Sequence, residues 1–354
     1  MTAPQTSFDP KNILIVLHGS IGDVTRALPL ARLVRRGFPG ASLAWSVEPA
    51  ALPLLEGNSA IDEIIVFDRR HWWKSFAPFL ARIRAKRFDL VLDLQRHLKS
   101  GLISRASGAP LRMGFHRADS KEANWLFNNL HIEHCGEEIA KLEHYLKFAE
   151  QLGIPSAPLE WSFNISAQEQ AAADKHLAPV PGAFAALFAG TRWQSKQWFP
   201  KQIADCAKTL QRDFGLGVVL LGAREDRELA RQAMVGASKQ MQDLVGHTSL
   251  REAMAIIQRA KVAVGPDTGL MHIAAALGTP VISLWGATDP RRTGPTGFGE
   301  LAIRGQAPCA PCYRKTCPIG RVCMQSISTA TIAEKLTVVL GPQSASRVSH
   351  GHVV

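Results

Sequence analysis

Val264-Gly265-Pro266-Asp267-Thr268-Gly269-Leu270-Met271-His272-Ile273-Ala274-Ala275-Ala276 reads as the end of a buried strand that begins at Lys261, a tight turn and an apolar helix. The turn brings a carboxylate (Asp267), a hydroxyl (Thr268) and a glycine (Gly269) to the helix start, and His272 falls in the first turn. Free backbone N–H groups and the helix dipole at such a start favour a phosphate. Gly269 lets a ligand approach the backbone closely. A second strand, Val281 to Leu284, follows at once and runs into Gly286-Ala287-Thr288-Asp289-Pro290. Two neighbouring strand ends that carry polar loops make the ligand crevice of a parallel α/β sheet.

The same alternation of short apolar runs and helical patterns extends outward in both directions, the mark of a parallel sheet with crossover helices. Strands are expected at Ile13–Leu17, Leu43–Val47, Ile64–Phe67 and Leu90–Leu94, with helices at Val24–Arg36, Ser75–Lys86 and Lys141–Leu152. Gly153-Ile154-Pro155-Ser156-Ala157-Pro158 reads as a linker. A second series follows, with strands at Phe184–Phe188, Val218–Leu221, Val262–Gly265 and Val281–Leu284. Its helices are expected near Ala167–His176, Lys201–Phe214, Arg224–Val235, Leu250–Ala260 and Leu270–Leu277. At 354 residues the chain suits two α/β domains, here 1–158 and 159–327, and the pattern-poor stretch 341–354 reads as a disordered tail. A ligand cleft between two such units is the natural place for a site.

The net charge of +11 points to an anionic partner: nucleic acid, an acidic membrane surface or a phosphorylated ligand. Nucleic acid fits poorly, because the basic residues are scattered over loops with no aromatic RNP motif, zinc-finger spacing or basic helix. The N-terminal residues do not read as a signal peptide and no apolar run is long enough to span a bilayer, so a cytoplasmic protein with at most peripheral membrane contact is expected.

Ile13-Leu14-Ile15-Val16-Leu17-His18-Gly19-Ser20-Ile21-Gly22-Asp23-Val24 is a strand, a glycine loop and a helix start, but neither a dinucleotide fingerprint nor a P-loop. Asp23 is expected at the helix N-terminus, either as its N-cap or as an ionised proton acceptor. Basic residues follow successive strands: Arg69, Arg70, His71 and Lys74 with Trp72 and Trp73, then Arg96, His97 and Lys99, then Arg112, His116, Arg117 and Lys121. They form either one anion-binding rim or an ordinary solvated face. Glu225, just past a strand end, suits the hydroxyls of a ribose or simply the local helix dipole. Cys309-x2-Cys312-x4-Cys317-x5-Cys323 is dense enough for a structural zinc or iron–sulfur site, although its spacing is not that of a zinc ribbon, and free or redox-linked thiols are the alternative reading. Cys135 and Cys206 read as packing residues.

Several of these pieces occur together in order. They are Gly19 to Val24 with Leu28-Pro29, Asp93-Leu94-Gln95 with Lys99-Ser100, Gly190-Thr191-Arg192 with Lys196-Gln197-Trp198, Leu221-Gly222 with Glu225, and Asp267-Thr268-Gly269 with His272 and Thr288-Asp289-Pro290. In that arrangement, covering roughly Asn12 to Leu340, the chain resembles the glycosyltransferase family 9 heptosyltransferases of lipopolysaccharide core assembly. The resemblance implies an α/β GT-B fold, two Rossmann-like domains with parallel sheets facing a central cleft, the acceptor on the first and the nucleotide-sugar on the second. It implies a C-terminal helix, about 328–340, that crosses back onto the first domain. It implies inverting transfer of L-glycero-D-manno-heptose from ADP-heptose to the Kdo or heptose inner core of lipid A, at the inner-leaflet membrane surface. Asp23 resembles the catalytic base. Lys196, with the Thr268 and Gly269 amides, would stabilise the departing ADP. Thr191, Glu225, Asp267 and His272 complete the donor set. Ser20, Gly22, Arg69, Arg70, Lys74, Gln95, Lys99, Arg117 and Lys121 would face the acceptor, and Arg96 stands where many relatives carry glycine. No Asp-x-Asp occurs, which fits catalysis without a metal or other cofactor. A GT-B enzyme with another donor or acceptor, or an inactive sugar-nucleotide binder, shares most of these features.

Overall fold

The computed structural model describes residues 9–136, 138–235 and 241–341. Among the described residues, twelve strands form two six-stranded sheets. The first holds β1 (Asn12–Val16), β2 (Ser42–Val47), β3 (Glu63–Val66), β4 (Leu90–Asp93), β5 (Leu111–Gly114) and β6 (Leu130–His131). The second holds β7 (Phe184–Phe188), β8 (Gly217–Leu221), β9 (Met241–Asp243), β10 (Val262–Pro266), β11 (Val281–Trp285) and β12 (Ile303–Arg304). The helices are α1 (Ile21–Gly37), α2 (Trp72–Ala85), α3 (Leu98–Ala106), α4 (Lys141–Gln151), α5 (Ala167–Leu177), α6 (Pro200–Phe214), α7 (Arg227–Met234), α8 (Leu250–Arg259), α9 (Gly269–Ala276), α10 (Pro290–Thr293), α11 (Val322–Gln325) and α12 (Thr329–Leu340).

Every strand pairing is parallel. The central strands are apolar on both faces: Ile13 to Val16 and Val218 to Leu221 are completely buried. Sheets covered by helices on both sides require this. The sheets run β3-β2-β1-β4-β5-β6 and β12-β11-β10-β7-β8-β9. Counted within its own sheet, each follows the dinucleotide-fold order 3-2-1-4-5-6, which places a topological switch point between the first and fourth strands. The loops that matter therefore follow β1 and β4 in one sheet, and β7 and β10 in the other.

The compact units are residues 1–166 with 291–293, and 167–290 with 294–354. The division falls eight residues later than the Pro-rich linker suggested. Residues 155–161 are strapped onto α1: Arg36 donates to the carbonyls of Pro155 and Ala157, Trp161 Nε1 to Thr25 O at 3.0 Å, and Arg32 pairs with Glu160. The C-terminal helix also departs from expectation. It was expected to cross onto the first domain, but α12 packs on α6 and β11, and its buried Ile332 and Leu336 join the core of the second unit. Apart from Gly341, the tail expected from 341 lies outside the described residues.

Candidate active site

Around the β1 loop, Ser20 is the N-cap of α1, and Asp23 lies one turn in, at the third helical position. Asp23 N donates to Ser20 Oγ at 3.3 Å, while Ser20 N and Oγ donate to Asp23 Oδ2 at 3.2 and 2.9 Å. This reciprocal box corrects the expectation that Asp23 itself caps a helix beginning at Val24; the Ser-x-x-Asp spacing of Ser20 to Asp23 was the signal. Gly22, in the same first turn, is buried.

The other carboxylate oxygen of Asp23 is bound by Arg26 Nη2 at 2.9 Å and by Lys141 Nζ of α4. Burial alone would raise the carboxyl pKa, but Lys141 and Arg26 overcome it and hold Asp23 far below the usual carboxylate range. Burial lowers the Lys141 pKa; Asp23 opposes that, while Arg26 and Arg96 add to it, so Arg96 contributes to the same positive field. His18 lies just upstream. It is hydrogen-bonded to Ser46 at 2.6 Å and stacked on Phe67, and burial, with the Arg69 charge adding, holds it neutral at a pKa of about 3.

The basic residues line loops on both sides of β1. After β3, Arg69 pairs with Glu48 at 3.2 Å, and Arg70 and Lys74 are exposed. After β4, Gln95 is half-buried and Lys99 exposed. After β5, Arg117 lies over the Trp125 ring at 4.9 Å, and the exposed Lys121 donates its amide to Arg96 O at 2.7 Å. Arg96 also donates to Asp119 O, which ties the β4 and β5 loops together.

In the second unit, the loops after β7 and β10 meet at the switch point. Lys196 Nζ binds Asp267 Oδ2 at 2.6 Å and lies 4.3 Å from the centre of the Trp193 ring. Thr288 Oγ1 donates to the same oxygen at 2.7 Å, Thr191 Oγ1 donates to Asp267 O at 3.2 Å, and His272 Nε2 stands 3.7 Å from Asp267 Oδ1. Burial would raise the Asp267 pKa; His272 and Lys196 hold it low. Thr268 is the N-cap of α9 but its side chain makes no cap bond, and Thr268 to Leu270 are half-exposed. The first-turn amides have no intrahelical acceptor. Glu225 sits exposed on a short 3-10 turn. Its neighbour Asp226, absent from the sequence reading, crowds Gly190: a Cβ there would stand 1.8 Å from the Asp226 carboxylate.

Lys196 is held from two sides. Trp198, fully buried, anchors its loop in the core. From the other side comes the cysteine-rich segment. Ser195 donates through N to Lys315 O at 3.1 Å and through Oγ to Arg314 O, Cys317 N donates to Gln194 Oε1 at 2.9 Å, and Arg321 donates to Gln197 O at 2.9 Å while lying over the Phe199 ring. Burial raises the Cys323 thiol pKa, and the charges of Cys317, Cys309 and Cys312 raise it further. No three of these four sulfurs lie within 4.8 Å of one another. Among the described residues the group of three whose ligand atoms lie within 4.8 Å of each other is His116, Asp119 and His134, which the sequence reading did not assemble. Cys206 is a core residue, whereas Cys135 sits half-buried on a loop with its amide on Asp119, not in the packing role expected of it.

Two parallel switch-point sheets, with an ionised carboxylate among cations at one and a lysine–carboxylate pair beside a helix start at the other, have the architecture of an α/β enzyme. The family model of glycosyltransferase family 9 (heptosyltransferase) matches residues 77–323, and the chain belongs to that family. It is a glycosyltransferase. Lipopolysaccharide heptosyltransferase 1 of Pseudomonas aeruginosa is 28% identical over 318 residues, covering 86% of this chain and 87% of that one. The solved E. coli ADP-heptose LPS heptosyltransferase II superposes with a TM-score of 0.75 at 23% identity, covering 93% and 98% of the two chains. E. coli heptosyltransferase WaaC, solved with ADP, superposes at 0.71 and 24% identity, covering 93% and 99%. Among the described residues no helix is long and apolar enough to cross a membrane.

Proposed function

We propose that this chain transfers L-glycero-D-manno-heptose, with inversion, from ADP-heptose to the Kdo or heptose inner core of lipopolysaccharide, working peripherally at the cytoplasmic face of the inner membrane. The observation that carries the reading is the Lys196–Asp267–Thr288 cluster beside the open start of α9. A diphosphate seated there meets a full positive charge and unpaired amides, and Asp267 keeps the ammonium aimed at it. The ADP and ADP-heptose in the names of the solved relatives support the choice of donor. Thr191, Glu225 and His272 line the donor side. Ser20, Gly22, Arg69, Arg70, Lys74, Gln95, Lys99, Arg117 and Lys121 serve the acceptor, whose phosphates and carboxylates match their charge.

Asp23 is the general base. Its low pKa suits a late proton transfer: as the acceptor oxygen bonds to the anomeric carbon its proton becomes strongly acidic, so even a weak carboxylate base suffices. The proton passes to Asp23, the bond from the anomeric carbon to the diphosphate oxygen breaks, and ADP leaves with the electron pair. Lys141 and Arg26 keep the carboxylate ionised until then. No metal is required in this chemistry. The thiols of the cysteine segment are the donor type of a structural zinc or iron–sulfur group, and the Arg321 amide donates to Cys317 Sγ at 3.1 Å, but no three of them lie within 4.8 Å of one another, so as placed they do not fit such a group.

Incubation with ADP-heptose and Kdo2–lipid A, with mass spectrometry of the lipid, tests the reaction: a product heavier by one heptose is expected, and unchanged lipid overturns the choice of substrates. Asp23→Asn tests the base. Asparagine has the shape of aspartate and an oxygen that can still accept the Ser20 bonds, but it cannot take a proton; turnover should fall about 10²- to 10⁴-fold with the fold retained. A folded variant keeping more than about a tenth of the activity would assign Asp23 to helix capping alone.

A further inference from the structure

Away from the donor loops, the segment after β5 and the segment after β6 meet at a set of metal-ligand side chains. His116, Asp119 and His134 each offer a ligand atom, all within 4.8 Å of one another. Asp119 is buried and fixed: its N donates to His116 O at 3.0 Å, and its carboxylate takes the amides of Cys135 at 2.8 Å and Gly136 at 3.0 Å. His134 Nδ1 stands 3.0 Å from Asp119 Oδ2. Around a tetrahedral zinc with bonds near 2.0–2.1 Å, neighbouring ligand atoms stand roughly 3.3 Å apart, so this pair is already close to a bound spacing. His116 Nδ1 accepts the Ala118 amide at 3.1 Å, and its ring centre lies 5.3 Å from that of His134. The Cys135 thiol is directed to Glu133 O at 3.1 Å, which leaves a set of two imidazoles and one carboxylate. That set is the ligand chemistry of a divalent transition metal rather than of magnesium or calcium.

We propose that His116, Asp119 and His134 bind one divalent transition-metal ion, zinc matching best, and that the ion staples the loop after β5 to the loop after β6. Binding replaces the His134–Asp119 hydrogen bond: the neutral His134 imidazole shifts its proton from Nδ1 to Nε2 by exchange with solvent, and the freed Nδ1 lone pair goes to the ion. The contact between His116 and the Ala118 amide gives way as that ring turns. Three protein ligands leave a coordination position for water or an anionic oxygen. The staple lies next to Arg117 and two residues before Lys121, so it fixes the backbone that carries two of the proposed acceptor cations.

The test uses the full chain, stripped of metal, titrated with Zn²⁺ by calorimetry and with Co²⁺ by absorption. Cobalt on thiolates gives intense near-ultraviolet charge-transfer bands, whereas cobalt on imidazole and carboxylate does not, which separates this site from the cysteine segment. One equivalent of Co²⁺ without thiolate bands is expected. In His134→Ala that equivalent should weaken by at least the roughly 10- to 100-fold that even outer-shell losses cost. Zn²⁺ should raise the melting temperature of the wild type more than that of the variant. The His134 side chain is 55% exposed, so the alanine variant should fold, and its metal-free melting curve checks this. If that curve is abnormal, His116→Ala carries the same expectation. Equal metal stoichiometry and affinity in wild type and a folded variant, or thiolate bands on all bound cobalt, would overturn the proposal.

Discussion

Asp93, at the end of β4, is a carboxylate with no exposure at all. Its Oδ2 accepts Asn124 Nδ2 at 2.7 Å and Asn128 Nδ2 at 3.3 Å, and its Oδ1 accepts Gln95 N at 3.1 Å. Burial dominates and pushes its pKa up to about 6, against the opposing pull of Asn124, Ser100, Asn128 and the Gln95 amide. Because the folded pKa lies above the unfolded one, this group's stabilising contribution is fully present below about pH 4 and is lost as the pH rises through 6. A shift of that size is worth on the order of 3 kcal/mol over the whole window, of which about 1.4 kcal/mol is recovered between pH 7.5 and pH 5. Asp93→Asn removes the titration. It also turns one amide donor toward existing donors, at a pH-independent cost of about 1–3 kcal/mol. Urea unfolding at both pH values, with the variant subtracted from wild type so that other titrating groups cancel, should show the wild type gaining about 1.4 kcal/mol relative to the variant at pH 5. Parallel pH dependence of the two proteins, within about 0.5 kcal/mol, would refute the account of Asp93 as a carboxylate kept partly protonated by burial.

Lys196→Ala leaves the Asp267 carboxylate buried without its cation. It should cost about 2–4 kcal/mol in the unfolding of the second unit and weaken ADP binding at least about tenfold by calorimetry. Unchanged ADP affinity and rate would remove Lys196 from the leaving-group site. Gly305→Ala places a Cβ 1.8 Å from the carbonyl oxygen of Cys323, a backbone atom that cannot rotate away. A loss near the top of the usual overpacking range, about 3 kcal/mol, is expected in urea melts, and a neutral result would mean the segment yields freely. Saturating chelator should leave the initial rate within about twofold. A complete loss restored by Mg²⁺ would refute leaving-group stabilisation by Lys196 and the helix start, and a loss restored only by Zn²⁺ would point to a structural metal, at the His116–Asp119–His134 site or the cysteine segment, which His134→Ala separates.

The sequence announces what is locally encoded. Eight strands, all but β5, β6, β9 and β12, stand out as apolar runs, and the loops after β1, β7 and β10 because glycine and polar residues interrupt that run. Four strands escape: β6 and β12 are two residues long and β9 three, too short for any periodicity to register, and Arg112 and Gly114 break the apolar run of β5. The site divides the same way. Asp267, Thr268, Gly269 and His272 lie within six residues, so their grouping is visible in the string. Lys141 binds Asp23 from 118 positions away, and nothing near it distinguishes it from a surface lysine. His116 and His134 likewise come together only because β5 and β6 lie side by side. The partner of α12 is not legible in its own residues: the family resemblance implies a crossing onto the first domain, whereas an amphipathic pattern specifies that one face is buried but not against what.

The brace on the Lys196 loop has a consequence for the order in which the molecule is completed. Gln194, Ser195 and Gln197 depend on partners 119 to 124 positions downstream. A ribosome delivers β7 and the lysine early, then must synthesise a third of the chain before Arg314 to Arg321 emerge to hold them. Until that moment the sheet can assemble from β7, β8 and β10 while its cation remains unbraced. A nascent or prematurely terminated chain ending near residue 305 would thus carry every proposed donor residue and yet lack the clasp that aims the most important one.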